Sequence, residues 1–236
     1  MSTFTTTVNI SPDDVKILKA EGYSLYGFKS VSASGDGSPT VWFHLPAEKL
    51  LTKTKITWQE DFQAYNSTST VAPQVLIEAS NTIKVDLGQL VTIEEGSGNI
   101  TKSKNGYPGT VSFLNEDKQR FTIGINQLVN GKSNILCAFP ILGAGSARVI
   151  TPITKIALIF STEKIETATV ITKAMSAGAF IDLTDSDSRD VDYTVNEGWE
   201  ADGGTWLQNF NAYTDLKKLL IENTSSREKE LSERSK

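Results

Sequence analysis

The sequence predicts an all-β protein, an antiparallel β-sandwich of about ten or more short strands with a short N-terminal helix and a short C-terminal helix. Three observations predict it. Apolar and polar residues alternate with period 2 in segment after segment, as in half-buried strands. Turn signals recur about every 8–12 residues, the spacing of a sandwich or barrel. Ser and Thr together supply 49 of 236 residues, and Thr suits a half-exposed strand, its branched Cβ favouring extended backbone while its hydroxyl faces water.

In order along the chain, Phe4, Thr6, Val8 and Ile10 alternate with Thr5, Thr7 and Asn9 as a first strand. Ser11-Pro12-Asp13-Asp14 then starts a helix. Ser11 can cap it, Pro12 costs nothing at the first helical position, and two acids sit at the positive end of the dipole. Gly22 can end it in a left-handed conformation. Tyr23 to Val31 and Thr40 to Leu45 read as a hairpin around the Ser34 to Pro39 loop. Lys53 to Tyr65 places Ile56, Trp58 and Phe62 inward and Lys55, Thr57, Gln59 and Asp61 outward. Short strands follow at 75–79, 83–87, 90–94, 100–103, 110–114 and 120–125, and Asn130-Gly131 marks a further turn. Ile135 to Phe139 and Ile153 to Ser161 are largely apolar, more like buried central strands than one-sided ones. Strands at 167–172, 179–183 and 191–195 complete the set. Tyr213 to Glu222 reads as a short amphipathic helix with Thr214 as its cap. Residues 1–224 are expected to form a single sandwich domain. Residues 225–236, with seven charges in the last ten, are expected to be a disordered tail.

Composition excludes several functions. A net charge of -5 argues against nucleic acid as partner, because phosphate-binding surfaces carry a Lys/Arg excess. One Cys and one His exclude multi-thiolate and multi-His metal centres. No apolar run reaches the ~18 residues of a transmembrane helix. The opening Met1-Ser2-Thr3-Phe4 has no cationic or apolar leader character. The expected location is the cytoplasm as synthesised, or outside after release without a classical signal peptide.

Catalytic constellations are weak. His44 is the one imidazole available to a triad, and alternation puts it beside Trp42 as a packed ring. Cys137 sits in an apolar run that makes a thiol inert. Gly131-Lys132-Ser133 has the tail of a phosphate loop, but Asn126 stands where its first glycine belongs. Glu60 and Asp61 beside Trp58 could serve a carboxylate-based hydrolase, with solvated acids as the plainer reading.

The informative stretch is Asp182 to Asp202, which holds eight acids against the single base Arg189, a local charge of -7. Removing it leaves 22 bases and 20 acids, a remainder of +2. Asp185, Asp187, Asp190 and Asp192 are candidate calcium ligands, although the spacing is not that of an EF-hand loop. Tyr193, Trp199 and Trp206 lie in or just after the stretch, and with Asn209 and Asp202 they make a candidate ligand site. A sugar would stack its C–H face on an indole and pair its hydroxyls with the polar groups. Burial of the same aromatics beneath the C-terminal helix is the alternative. Thr162 to Phe180 is Thr-rich and weakly apolar, like segments that refold into membrane hairpins. The expected function is non-enzymatic recognition of a carbohydrate or other membrane-surface or cell-surface ligand through loops at one end of the sandwich. No cofactor is required, calcium being the one candidate. A β pore-forming toxin and a hydrolase are the alternatives.

Overall fold

The computed structural model describes residues 2–223, so the tail expected at 225–236 lies outside the described residues. In chain order come β1 (Thr3–Ile10), α1 (Pro12–Ala20), β2 (Ser24–Ala33), β3 (Ser38–Pro39), β4 (Phe43–Leu45), β5 (Lys53–Ser67) and β6 (Asn81–Val85). β7 (Gln89–Ile93), β8 (Ile100–Ser103), β9 (Val111–Asn115), β10 (Phe121–Val129), β11 (Lys132–Ile135) and β12 (Cys137–Ile141) follow. The last third holds β13 (Ser146–Ser161), β14 (Gly178–Asp182), β15 (Ser188–Thr194), β16 (Gly198–Glu200), β17 (Leu207–Phe210), α2 (Leu216–Leu220) and β18 (Ile221–Asn223).

These strands make two sheets, and the protein is mostly β as expected. The first runs β16-β15-β1-β5-β10-β12-β3, with β6 also on β5 and β11 also on β10. The second runs β17-β14-β13-β9-β7-β8, and β2 joins it through β13, carrying β4 and β18. Strict antiparallel pairing does not hold. β1 with β15, β7 with β9 and β2 with β18 are parallel. Each of these pairs joins strands that are not consecutive, which hairpin signals cannot reveal. One core is shared by both sheets: Phe4, Val8 and Trp58 from the first meet Leu25, Val31 and Leu158 from the second. A second cluster buries Tyr26, Phe28 and Ile159 beneath Ile171, Leu216 and Leu220.

Local chemistry explains most elements. The Ser11 hydroxyl accepts from the Asp14 amide at 3.0 Å, and α1 buries Val15 and Leu18. Gly22 takes φ +74° after the helix, which its lack of a Cβ allows. Asn130 and Gly131, at φ +48° and +77°, form the two-residue turn that joins β10 to β11. Two expectations need correction. The C-terminal helix is only Leu216–Leu220, capped by Asp215 rather than Thr214, because the chain then leaves to pair with β2 as β18. The segments at 75–79 and 167–172 are irregular and meet through the isolated bridge Leu76–Thr169. Within the acidic stretch β15 and β16 form a hairpin.

The two longest strands are each broken by a bulge. Trp58 and Phe62 of β5 face Val129 and Gln127 of β10, four steps against two. Pro152 and Ile156 of β13 face Val31 and Lys29 of β2, again four against two. A bulge takes residues out of the ladder and frees their carbonyls. Gln127 Nε2 donates to the Gln59 carbonyl at 2.9 Å, and Lys29 Nζ donates to the Ile153 carbonyl. Lys29 is only 2% exposed and lies over Trp58, 5.6 Å from the ring centroid.

Burial pushes the Lys29 amine from 10.5 down to about 7, against an opposing pull from Glu60. Between those values the unfolded chain binds more protons, so stability from this group rises with pH across that window. Urea unfolding of the wild type and Lys29→Met should therefore show the wild type gaining on the variant from pH 7 upward. The slope should be at most about 1.4 kcal/mol per pH unit. A flat difference would contradict a buried, desolvated amine.

Candidate functional site

The edges of the two sheets meet where β16 ends the first and β17 ends the second. Asn209 of β17 donates from Nδ2 to the Trp199 carbonyl of β16 at 2.8 Å, tying the edges together. The seam contains a cleft of about 410 Å³ lined by Asp192, Trp199, Glu200, Asp202, Leu207 and Asn209, among others. Its carboxylates come from separate segments. Asp192 and Glu200 are direct cross-strand partners on β15 and β16, and Asp202 lies in the turn beyond. All three are exposed. Among the described residues none of them forms an ion pair, so their acceptor oxygens face solvent.

A second cleft, about 540 Å³, adjoins the first and shares Asp192 with it. Asn9, Thr52, Lys53 and Tyr193 are among its walls. The clefts are joined because β15 pairs with β1, and β1 with β5.

The structure separates the candidate aromatics. Trp199 is 3% exposed, stacked on Phe160 at 5.3 Å with Tyr193 at 4.9 Å across its edge. Its indole N–H has no acceptor, although the residue lines the cleft. Tyr193 is half-buried, and burial, with Tyr23 and Asp14 adding to it, pushes its phenol up. Trp206 is half-buried too. The Arg189 guanidinium stands 4.8 Å from its ring centroid, and a Cβ added at Gly204 would come within 2.3 Å of its indole nitrogen. The ring is held by packing. The openly exposed aromatic is Tyr213, at 78%.

Of the predicted ligand residues, then, Asp202, Asn209 and Trp199 reach one cleft and Tyr193 the adjoining one. These positions lie along strand edges and the turn between them, not on loops at one end. Glu200, Asn9 and Lys53 were not singled out from sequence. Alternation marks Asn9 as outward-facing, but only the pairing of strands distant in sequence brings it to Asp192.

The other candidates fall elsewhere. Asp185 and Asp187 occupy the turn before β15, and Asp190 and Asp192 alternate along β15, all four exposed. Among the described residues no three His, Cys, Asp or Glu side chains are grouped to hold a metal ion. His44 stacks on Tyr26 at 4.8 Å, not on Trp42, because it pairs with Tyr26 across β2 and β4. Cys137 is buried, and its thiol is pushed up to about 12 by desolvation. Asp61 is paired with Lys84 at 3.1 Å, and Glu60 is exposed on the β5 bulge. The Thr162 to Phe180 segment is pinned along most of its length. The Ala168 amide donates to the Val41 carbonyl and the Val41 amide to the Thr169 carbonyl, the Val170 amide donates to the Val75 carbonyl, and the Glu163 carbonyl accepts from the Tyr26 hydroxyl. Among the described residues no helix is long and apolar enough to cross a membrane.

Comparison with protein-family models, curated proteins and solved structures yields no match. Function is therefore argued from the chain's own residues.

Placement of Trp199 has a direct test. Trp199→Ala should cost about 3–5 kcal/mol in urea unfolding, as truncation of a core indole does. Asp202→Ala should stay within about 0.5 kcal/mol of the wild type. Equal costs would mean that Trp199 is not a core residue.

Proposed function

We propose that the protein is a recognition module built as a two-sheet sandwich, which binds a carbohydrate without turnover in the edge cleft. One observation carries the reading: Asp192, Glu200, Asp202 and Asn209 converge from three strands and a turn on a single cleft with Leu207 in its wall. A sugar offers many hydroxyl donors, and unpaired carboxylates and an amide are the acceptors that suit them. An apolar wall suits its C–H faces.

In this reading Asp185, Asp187 and Asp190 are solvent-facing acids, and binding needs no calcium. The pore-forming and hydrolytic alternatives gain no supporting geometry from the pinned Thr162 to Phe180 segment or from the separated Glu60 and Asp61.

A glycan array probed with the intact chain, with and without EDTA, tests the proposal. Binding to at least one glycan class should persist in EDTA. The double variant Asp202→Ala/Asn209→Ala should lose about tenfold or more in affinity, the scale of one or two charge-assisted hydrogen bonds. Absence of binding under both conditions would overturn the reading.

A further inference from the structure

The outer face of the first sheet carries charge in an ordered arrangement. β15 presents Asp190 and Asp192, β5 presents Lys53 and Lys55, and β1 lies between them with Thr7 and Asn9. The register aligns these as two parallel rows, Asp192–Asn9–Lys53 and Asp190–Thr7–Lys55. All four charged residues are exposed. With neighbouring strands ~4.8 Å apart, the acidic and basic strands stand ~10 Å from each other. Among the described residues neither lysine has a hydrogen-bond or ion-pair partner. The two charge pairs are thus separated by a neutral strand and left open to solvent.

This face is continuous with the candidate site. Asp192 belongs to both clefts, and the second cleft extends over Asn9 to Lys53. A ligand longer than one sugar, seated at Glu200, Asp202 and Asn209, would leave the first cleft across β15 and β1. It would then arrive at the lysine strand.

We propose that the ligand is an acidic oligosaccharide. Its neutral, hydroxyl-bearing end occupies the edge cleft, and its carboxylate or sulfate lies over Lys53 and Lys55. This inference rests on the carbohydrate reading above and adds the ligand's class and direction. Charge complementarity fixes that direction. An anion over β15 meets Asp190 and Asp192 and is repelled, whereas over β5 it meets two unengaged ammonium groups. The Debye length at physiological salt is ~8 Å, so an anion on the lysines is partly screened from the aspartates one neutral strand away.

The test uses matched pairs of oligosaccharides, neutral and terminally carboxylated or sulfated, measured by calorimetry at low and physiological salt. The wild type should prefer the acidic member, and the preference should shrink as salt rises. Lys53→Gln/Lys55→Gln should lose about three- to tenfold for acidic members, the scale of two exposed charge contacts, and nothing for neutral ones. Lys53→Glu/Lys55→Glu should reverse the preference. Both lysines are exposed, so an unchanged thermal melt checks that the variants fold. Equal binding of both members, or a preference that survives Lys53→Gln/Lys55→Gln, overturns this inference and leaves the carbohydrate reading in place. Binding of neither member overturns both.

Discussion

A backbone carbonyl that a β-bulge frees and partly buries needs a donor, since a buried one left without a partner costs about 1–3 kcal/mol. Two such carbonyls, Gln59 in β5 and Ile153 in β13, shape this protein. Each is met by a buried polar side chain from the neighbouring strand, Gln127 for the first and Lys29 for the second. Trp58 joins the two places, since it borders the β5 bulge and lies beneath the Lys29 amine. Trp42 packs edge-on against Trp58 at 5.8 Å and donates its own indole N–H to the Gln127 carbonyl. Polar groups in the core are therefore bulge partners as well as burial costs.

The β5 bulge also divides that strand between two tasks. Its first half, up to Gln59, pairs with β1 and through it with β15. Its second half, from Phe62, pairs with β6 and most of β10. Lys53 and Lys55 belong to the first half, which places them on the same outer face as Asp190 and Asp192. At the far side of that face, Phe160, Tyr193 and Trp199 form an aromatic knot spanning both sheets. The knot fixes β16, and β16 with Asn209 forms the edge cleft. Trp199, a candidate ligand platform by sequence, thus acts as the support beneath the polar groups.

Much of the fold was legible in the sequence because its signals are local. Alternation found β1, Ser11-Pro12-Asp13-Asp14 found α1, and Asn130-Gly131 found the β10–β11 turn. The charge imbalance at 182–202 pointed to the region of the clefts. Long-range contacts were not legible. The parallel pairing of β1 with β15 joins opposite ends of the chain, so nothing near Asn9 or Lys53 announces Asp192. Nothing in the sequence around Lys29 announces the β13 bulge that its amine serves. β16 and β17 are three and four residues long, too short for periodicity, and Trp199 and Trp206 on or beside them were correspondingly hard to place.

In the proposed mode of binding, β16, β15, β1 and the first half of β5 form one binding face. Amide chemical-shift mapping during titration with an acidic oligosaccharide tests it most directly. A continuous track of shifted amides is expected through 198–202, 188–194, 5–10 and 53–57, with Asn209 at one end. Shifts centred on the Thr162 to Phe180 segment or on α2, with that track silent, would contradict it.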